Sequence, residues 1–457
     1  MASRADQLAA NLDLSKIGQA TELKKRIWFT IGALIVFRLL SFIPLPGIDP
    51  TALADLYNQT RGGVLDIFNT FSGGSLERMS LIALGVMPYI TASIVVQMAA
   101  ALSPTLAAIK KEGESGRKKL NQYTRYGAVG LAMVQGYFIA VGLESFSSTQ
   151  GVQAVVEPGM MFRIGAVISL VGGTLFLMWL GEQITSRGIG NGISLIIMAG
   201  IVAQVPTHLM QLFEQGRAGS ISGFAIAAII AGLFGLIALI CFVERAQRRI
   251  LVQYPKRQTK QGVMQADRSH LPLKVNTANV IPPIFASSLL LMPLTITQFA
   301  GSYAAGDSAW GDFVIKLNTW LQHGSPLYMA LYGFGIIFFT FFYVSVVFNP
   351  EETAQNLKRQ GGFIPGIRPG KNTENYLDYV LTRITVLGAA YLTAICLIPE
   401  YFISSMGIPF YVGGTSLLIV VNVTIDTVTQ IQSHLLAHQY ADLIKKSKLK
   451  GGGVRRR

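Results

Sequence analysis

The chain has 457 residues, of which 51% are hydrophobic and only 14% charged, and its formal net charge is +14. A soluble domain carries roughly 25% charged residues, so this chain could not cover its own surface with polar groups. Disorder, a collagen-like fibre and a disulfide scaffold are excluded, and several apolar stretches exceed the roughly 18 residues that mark a membrane-spanning helix.

Residues 1–26 are polar and basic (Arg4, Lys16, Lys24, Lys25, Arg26), and they lack the short apolar core and small-residue cleavage site of a removable signal peptide. They read as an amphipathic N-terminus ahead of a retained first span. Ten apolar runs follow, at 27–43, 81–103, 126–143, 160–180, 192–205, 220–243, 280–301, 326–348, 379–398 and 408–430. The predicted fold is all-α and polytopic, with ten transmembrane helices. Ten spans divide into five and five, and an odd number per half turns the second half upside down, the geometry of inverted repeats. The halves are expected at 27–205 and 206–430, with a basic tail at 431–457.

The stretch between the first two spans, Gly62 to Gly74, is mildly apolar and lies between two glycine pairs. It is too short to cross a bilayer. It fits an interfacial re-entrant segment held by packing, and it also fits a movable stopper sheltered in a cavity. Of the 38 lysines and arginines, 31 fall in the termini and in the loops at 104–125, 181–191, 244–279 and 349–378, against 4 in the alternate loops. This excess predicts that both termini and those loops face the cytoplasm. A basic inner face suits anionic lipids, a ribosome or an acidic protein equally. Within the 349–378 loop, Pro365-Gly366-Ile367-Arg368-Pro369-Gly370 would fix Arg368 on a rigid tip, which suits docking to a partner.

Ionisable groups are sparse inside the spans. Arg38 and Arg163 lie near span ends, where snorkelling is expected, Arg383 opens its span, and Asp426 is the only acid there. That sparseness weakens a gradient-driven carrier, which needs charge at depth. The chain has no P-loop and no H-E-x-x-H motif. Gly188-Ile189-Gly190-Asn191-Gly192 has the wrong spacing for a dinucleotide loop. Cys241 and Cys396 sit inside apolar runs, against a disulfide or a metal cluster. His434 and His438, at i and i+4, read as a solvated helix face. No enzyme, metal or cofactor is expected.

From Ile31-Gly32-Ala33-Leu34-Ile35-Val36-Phe37-Arg38 to Gly413-Gly414-Thr415-Ser416-Leu417-Leu418, the chain resembles the SecY family of protein-conducting channels. Between them the same resemblance rests on Ala83-Leu84-Gly85-Val86-Met87-Pro88-Tyr89-Ile90, the Lys110 to Lys119 loop, Gly188 to Ser194, His270-Leu271-Pro272-Leu273-Lys274-Val275-Asn276 and Pro365 to Gly370. The resemblance implies two inverted halves around an hourglass pore, in the inner (plasma) membrane. It implies a waist of Val86, Ile90, Ile193, Ile197, Ile284 and Ile419, and a plug that includes Leu65, Ile67, Phe68 and Phe71. It further implies a lateral gate with Gln97 and Asn276, and motor or ribosome docking through Arg368, Arg249, Lys256 and Arg257. Valine at 86 replaces the isoleucine common in bacterial relatives, and the Lys256 to Gln261 stretch lacks a further arginine pair, so partner contacts there are less defined. The implied partners are the SecE and SecG membrane subunits, the SecA motor ATPase, the ribosome, signal peptides and nascent chains, and anionic lipids. A ten-span secondary transporter of a small solute is the alternative, and a polar site at mid-depth would mark it.

Overall fold

Inside lipid every backbone N–H and C=O must find an internal partner, so apolar runs of this length become helices. The structure is a computed structural model, and it describes residues 21–49, 53, 69–145, 153–219, 221–254, 258–259, 262–263, 268–301, 316, 320, 325–406 and 413–451. Its helices are α1 (Thr21–Leu40), α2 (Met87–Leu102), α3 (Pro104–Lys111), α4 (Glu114–Ser145), α5 (Met160–Arg187) and α6 (Gly192–Arg217). There follow α7 (Gly223–Glu244), α8 (Ile281–Gly301), α9 (Pro326–Val347), α10 (Pro350–Arg359), α11 (Lys371–Met406) and α12 (Gly414–Gly451). Each of the ten expected spans falls on one of these helices. Among the described residues seven helical stretches are long and apolar enough to cross a membrane, and the pair α2–α3, bent by 105° at Ser103, brings the number to eight if it counts as one span. The helix α1 opens on Glu22, Lys24, Lys25 and Arg26, and the apolar part of α8 is Ile281–Leu290.

Several boundaries differ from expectation for local reasons. α2 starts at Met87 with Pro88 in its first turn, where a missing N–H costs nothing, and 81–86 form turns. α6 continues through Pro206 to Arg217, past the expected end at 205. The 244–279 segment contains strands β1 (Gln247–Gln253), β2 (Gln258–Thr259), β3 (Gly262–Val263) and β4 (Arg268–Lys274). β1 and β4 pair antiparallel with Ile250 opposite Leu271, and β2 pairs with β3.

The helices pack as two groups. In the first, α1 lies on α5 and α6, α2 on α4 and α5, and α5 on both α4 and α6. In the second, α8 lies on α9, α9 and α12 on α11, and α7 on α12. The groups meet along two seams: α8 against α2 and α4 on one side, α12 against α6 and α1 on the other. Two ion pairs hold α4 to α5 near both ends. The Arg125 guanidinium donates to both Glu182 carboxylate oxygens at 2.7 and 2.6 Å, and Arg163 meets Glu144 at 2.7 Å. Arg163, expected near a span end, is thus ion-paired to Glu144 of α4.

Close helix approach in lipid depends on small side chains, because burying apolar surface gives no driving force there. At Gly192 a Cβ would overlap the Gly181 carbonyl oxygen, and at Gly181 a Cβ would stand 2.9 Å from Ile193. The α5–α6 turn is thus as tight as backbone contact allows, and this aims the first turn of α6 between the two groups.

Candidate functional site

A cavity of about 600 Å³ opens between the two groups, at the end that carries the basic loops. Its walls come from α2, α4, α5, α6, α8 and α12. Four of the six expected waist residues line it: Ile90 from α2, Ile193 and Ile197 from α6, and Ile284 from α8. Spacing explains the pair within α6, Ile193 and Ile197, since i and i+4 share a helix face. Gln97, Asn121, Glu182 and Gln430 supply polar groups toward the basic end.

Val86 and Ile419 do not line this cavity. They are buried beside it, 3% and 1% exposed, in the same apolar cluster as Ile90 and Ile197, with Ile193 and Ile284 packed against that cluster. All six belong to, or pack against, one large apolar cluster, and side chains of this kind would form an aliphatic constriction. An ion entering such a constriction loses hydration and finds no dipoles in exchange, which makes it an ion barrier.

Phe71, 7% exposed, belongs to the same cluster. Leu65, Ile67 and Phe68 lie outside the described residues. Residues 69–72 are helical and end in Gly73 and Gly74, both at positive φ (71° and 82°), which glycine adopts without strain. A Cβ on Gly73 would also stand 2.8 Å from the Gly200 Cα of α6. The Gly73 carbonyl accepts a 2.7 Å bond from the Arg38 guanidinium of α1, while Arg38 and Arg78 both approach the Phe42 ring, at 4.9 and 4.2 Å. Arg38 therefore holds the Gly73 end of this segment, a partner that its place near a span end did not reveal. A hydrogen bond to a charged group contributes roughly 1.5–3 kcal/mol. Arg38→Met is accordingly expected to raise resting ion conductance of reconstituted vesicles by about tenfold or more. Conductance equal to the parent chain would mean that this bond does not hold the stretch in place.

The two expected gate residues are not brought together. Gln97 lines the cavity and is exposed, with its amide donating to Ser93 at 3.0 Å. Asn276 does not line the cavity; it is 2% exposed, and its amide donates to Glu244 Oε1 at 2.7 Å and to the Asn279 carbonyl at 3.0 Å. The seam between α2, α4 and α8 nonetheless exists and is closed.

Of the expected docking residues, Arg249 and Arg368 are exposed, and Lys256 and Arg257 lie outside the described residues. Gln253 of β1 exchanges two 2.9 Å backbone hydrogen bonds with Phe363, so the hairpin and the Arg368 loop form one platform. Beneath it a separate apolar cluster joins Ile250, Leu273, Ala354, Ile364, Leu377 and Val380. The Arg368 carbonyl accepts a bond from the Thr373 hydroxyl at 3.0 Å, and the guanidinium projects from a turn flanked by Gly366 and Gly370, both at positive φ. Among the described residues no group of three or more His, Cys, Asp or Glu could hold a metal ion.

A family model named SecY matches residues 80–428. The protein translocase subunit SecY of Escherichia coli K12 is 53% identical over 436 residues, which is 95% of this chain and 97% of that protein. The chain belongs to the SecY family.

Two solved structures agree with that membership at the level of fold. One is a SecY whose plug domain stabilises the closed state of its translocation channel and maintains a membrane seal (TM-score 0.60, 18% identity, covering 90% of this chain and 92% of that one). The other is Sec61 in the canine ribosome–channel complex from the endoplasmic reticulum (TM-score 0.58, 16% identity, 90% and 92% covered). As a SecY chain this protein is a multi-pass membrane protein. Its Arg125–Glu182 pair, Gln430 and the Glu244–Asn276 pair are site features that motif reading missed. Each is a partnership across helices remote in sequence, such as the 240 positions between the Gly190 N–H and the Gln430 side chain that accepts it at 2.8 Å.

Proposed function

We propose that this SecY chain is the pore-forming subunit of a bacterial general secretory translocase. It conducts unfolded polypeptides across the membrane and releases apolar segments sideways into lipid. The observation that supports this reading is a cavity between two helix groups into which Ile90, Ile193, Ile197 and Ile284 face, in a chain of the SecY family. Such side chains move aside for an extended chain and offer it no hydrogen bonds, so any sequence can pass. A segment of about 20 apolar residues leaves through the α2/α4–α8 seam because lipid solvates it better than the funnel does. The waist is the set Val86, Ile90, Ile193, Ile197, Ile284 and Ile419, and the 62–74 stretch is the stopper beneath it.

The chain supplies a path and no energy, so a separate motor must push. The Arg249–Arg368 platform is the docking place for SecA or the ribosome, and SecE and SecG complete the membrane complex. Charge distribution places both termini and the platform in the cytoplasm, against the anionic inner leaflet of the plasma membrane. The inverted arrangement of two five-span halves follows from the same topology. A small-solute carrier would need a polar site at mid-depth, and the isoleucines that line the cavity favour a channel instead.

Arg368→Glu tests the docking role. A charge reversal on an exposed tip leaves the packed interior untouched. Motor-driven export into inverted vesicles is expected to fall by at least about tenfold, the change that roughly 1.4 kcal/mol of lost docking energy produces, with the complex assembled at normal levels. Export at the parental rate would refute the docking assignment.

A further inference from the structure

The docking hairpin and the gate helix are consecutive in the chain. β4 ends at Lys274 and α8, which forms one face of the closed seam, begins at Ile281. The few residues between them are fixed at one point. The Val275 N–H donates to the Ala246 carbonyl at 3.0 Å, tying the exit of β4 to the start of β1. Next to it the Asn276 amide reaches the Glu244 carboxylate at 2.7 Å, and Glu244 is the last residue of α7. The Tyr391 hydroxyl of α11 approaches the same carboxylate oxygen at 3.5 Å. α11 also presses on the junction directly, since a Cβ on Gly388 would stand 2.9 Å from the Val275 carbonyl oxygen.

Glu244 and Asn276 are 6% and 2% exposed. A carboxylate buried to this degree is tolerated only with good partners, so any movement of the hairpin must carry Asn276 and the start of α8 with it. The Asn276 amide oxygen, by contrast, is buried with no hydrogen-bond partner among the described residues. A buried unpaired acceptor in a tightly packed site calls for an explanation, and a second position in which it is satisfied is one. Asn279, whose carbonyl takes the other Asn276 bond, sits at positive φ (53°), an uncommon conformation for a non-glycine residue at the mouth of a helix.

We propose that Glu244 and Asn276 are positioning residues that couple the docking hairpin to the gate: a push on β1–β4 is passed through their hydrogen bond to α8 and opens the seam. This inference rests on the channel reading above. The test exchanges the two functional groups in reconstituted complexes. Asn276→Asp sets two carboxylates against each other, and Glu244→Gln/Asn276→Asp restores one amide and one carboxylate with roles reversed. Two quantities are read in parallel: affinity for purified SecA and rate of preprotein transport into vesicles.

Coupling predicts that Asn276→Asp transports about tenfold more slowly than the parent while SecA affinity stays within about twofold, a difference under the 1.4 kcal/mol of a decade, and that the double variant recovers most of the rate. Should Asn276→Asp fail to assemble, the double variant alone decides, because a coupling pair predicts near-parental transport from it. Loss of affinity in step with rate would reduce the pair to a prop for the hairpin, and parental transport by Asn276→Asp would make it mere packing. Either result overturns the proposal. Failure of the parent chain itself to pass any preprotein would instead defeat the channel reading.

Discussion

Ile90→Asn is expected to make the resting channel leak ions and to admit preproteins with defective signal sequences. Ile90 is 8% exposed, lines the cavity and belongs to the large apolar cluster beside it. An amide at that depth has no protein partner, and an unpaired buried amide costs roughly 1–3 kcal/mol. Water entering the constriction removes that cost, so the wet state gains what the dry state loses. The wet population then rises by about tenfold to a hundredfold. Ion conductance across planar bilayers follows the wet population and is the quantity to record. Ile90→Leu keeps the site apolar at equal volume and should stay silent. If Ile90→Asn were as silent as the parent, the seal would have to lie elsewhere.

Gly192→Val is expected to be a strongly damaging change outside the waist. Its added Cβ would overlap a backbone carbonyl of α5, which cannot move aside as a side chain can. Overpacking of a well-filled interior costs about 1–3 kcal/mol, and more when backbone must shift. Because Gly192 begins α6, the same shift displaces Ile193 and Ile197 from the funnel. Thermal unfolding of the purified complex in detergent should show a loss of at least about 3 kcal/mol. Gly165→Ala on α5, where a Cβ meets nothing within 4 Å, is the matched control and should unfold like the parent. Equal unfolding of Gly192→Val and the control would contradict the tight α5–α6 turn.

The helices were legible because a membrane imposes one solution on a long apolar run. Where the chain leaves lipid that rule ends, and the reading blurred. The β1–β4 hairpin was expected as a loop, although Ile250 and Val252 alternate with more exposed neighbours as a half-buried strand requires. A dense run of basic residues and prolines concealed that period. Arg38 and Arg163 were read as snorkelling because sequence gives depth along a helix and says nothing of what faces it. Their partners, the Gly73 carbonyl and Glu144, come from other segments. Four waist residues met at the funnel and two beside it, an arrangement fixed by packing between helices hundreds of residues apart. Asn276, assigned to the gate by resemblance, is buried and bonded to Glu244.

The arrangement has a mechanical logic. The gate seam joins α8 to α2 and α4, while on the opposite side Gln430 of α12 holds the turn before α6 by a side-chain bond to Gly190. The α12–α6 side is thus tied by a side-chain bond in addition to packing.

The most direct measurement places a photo-crosslinking residue at Ile90, Ile193, Ile197 or Ile284 and arrests a preprotein halfway through the complex. Strong crosslinks from the arrested chain are predicted at these four positions, and none from Phe234, which α7 exposes away from the funnel. An arrested chain that reaches none of the four while transport proceeds would contradict a polypeptide path through the aliphatic waist.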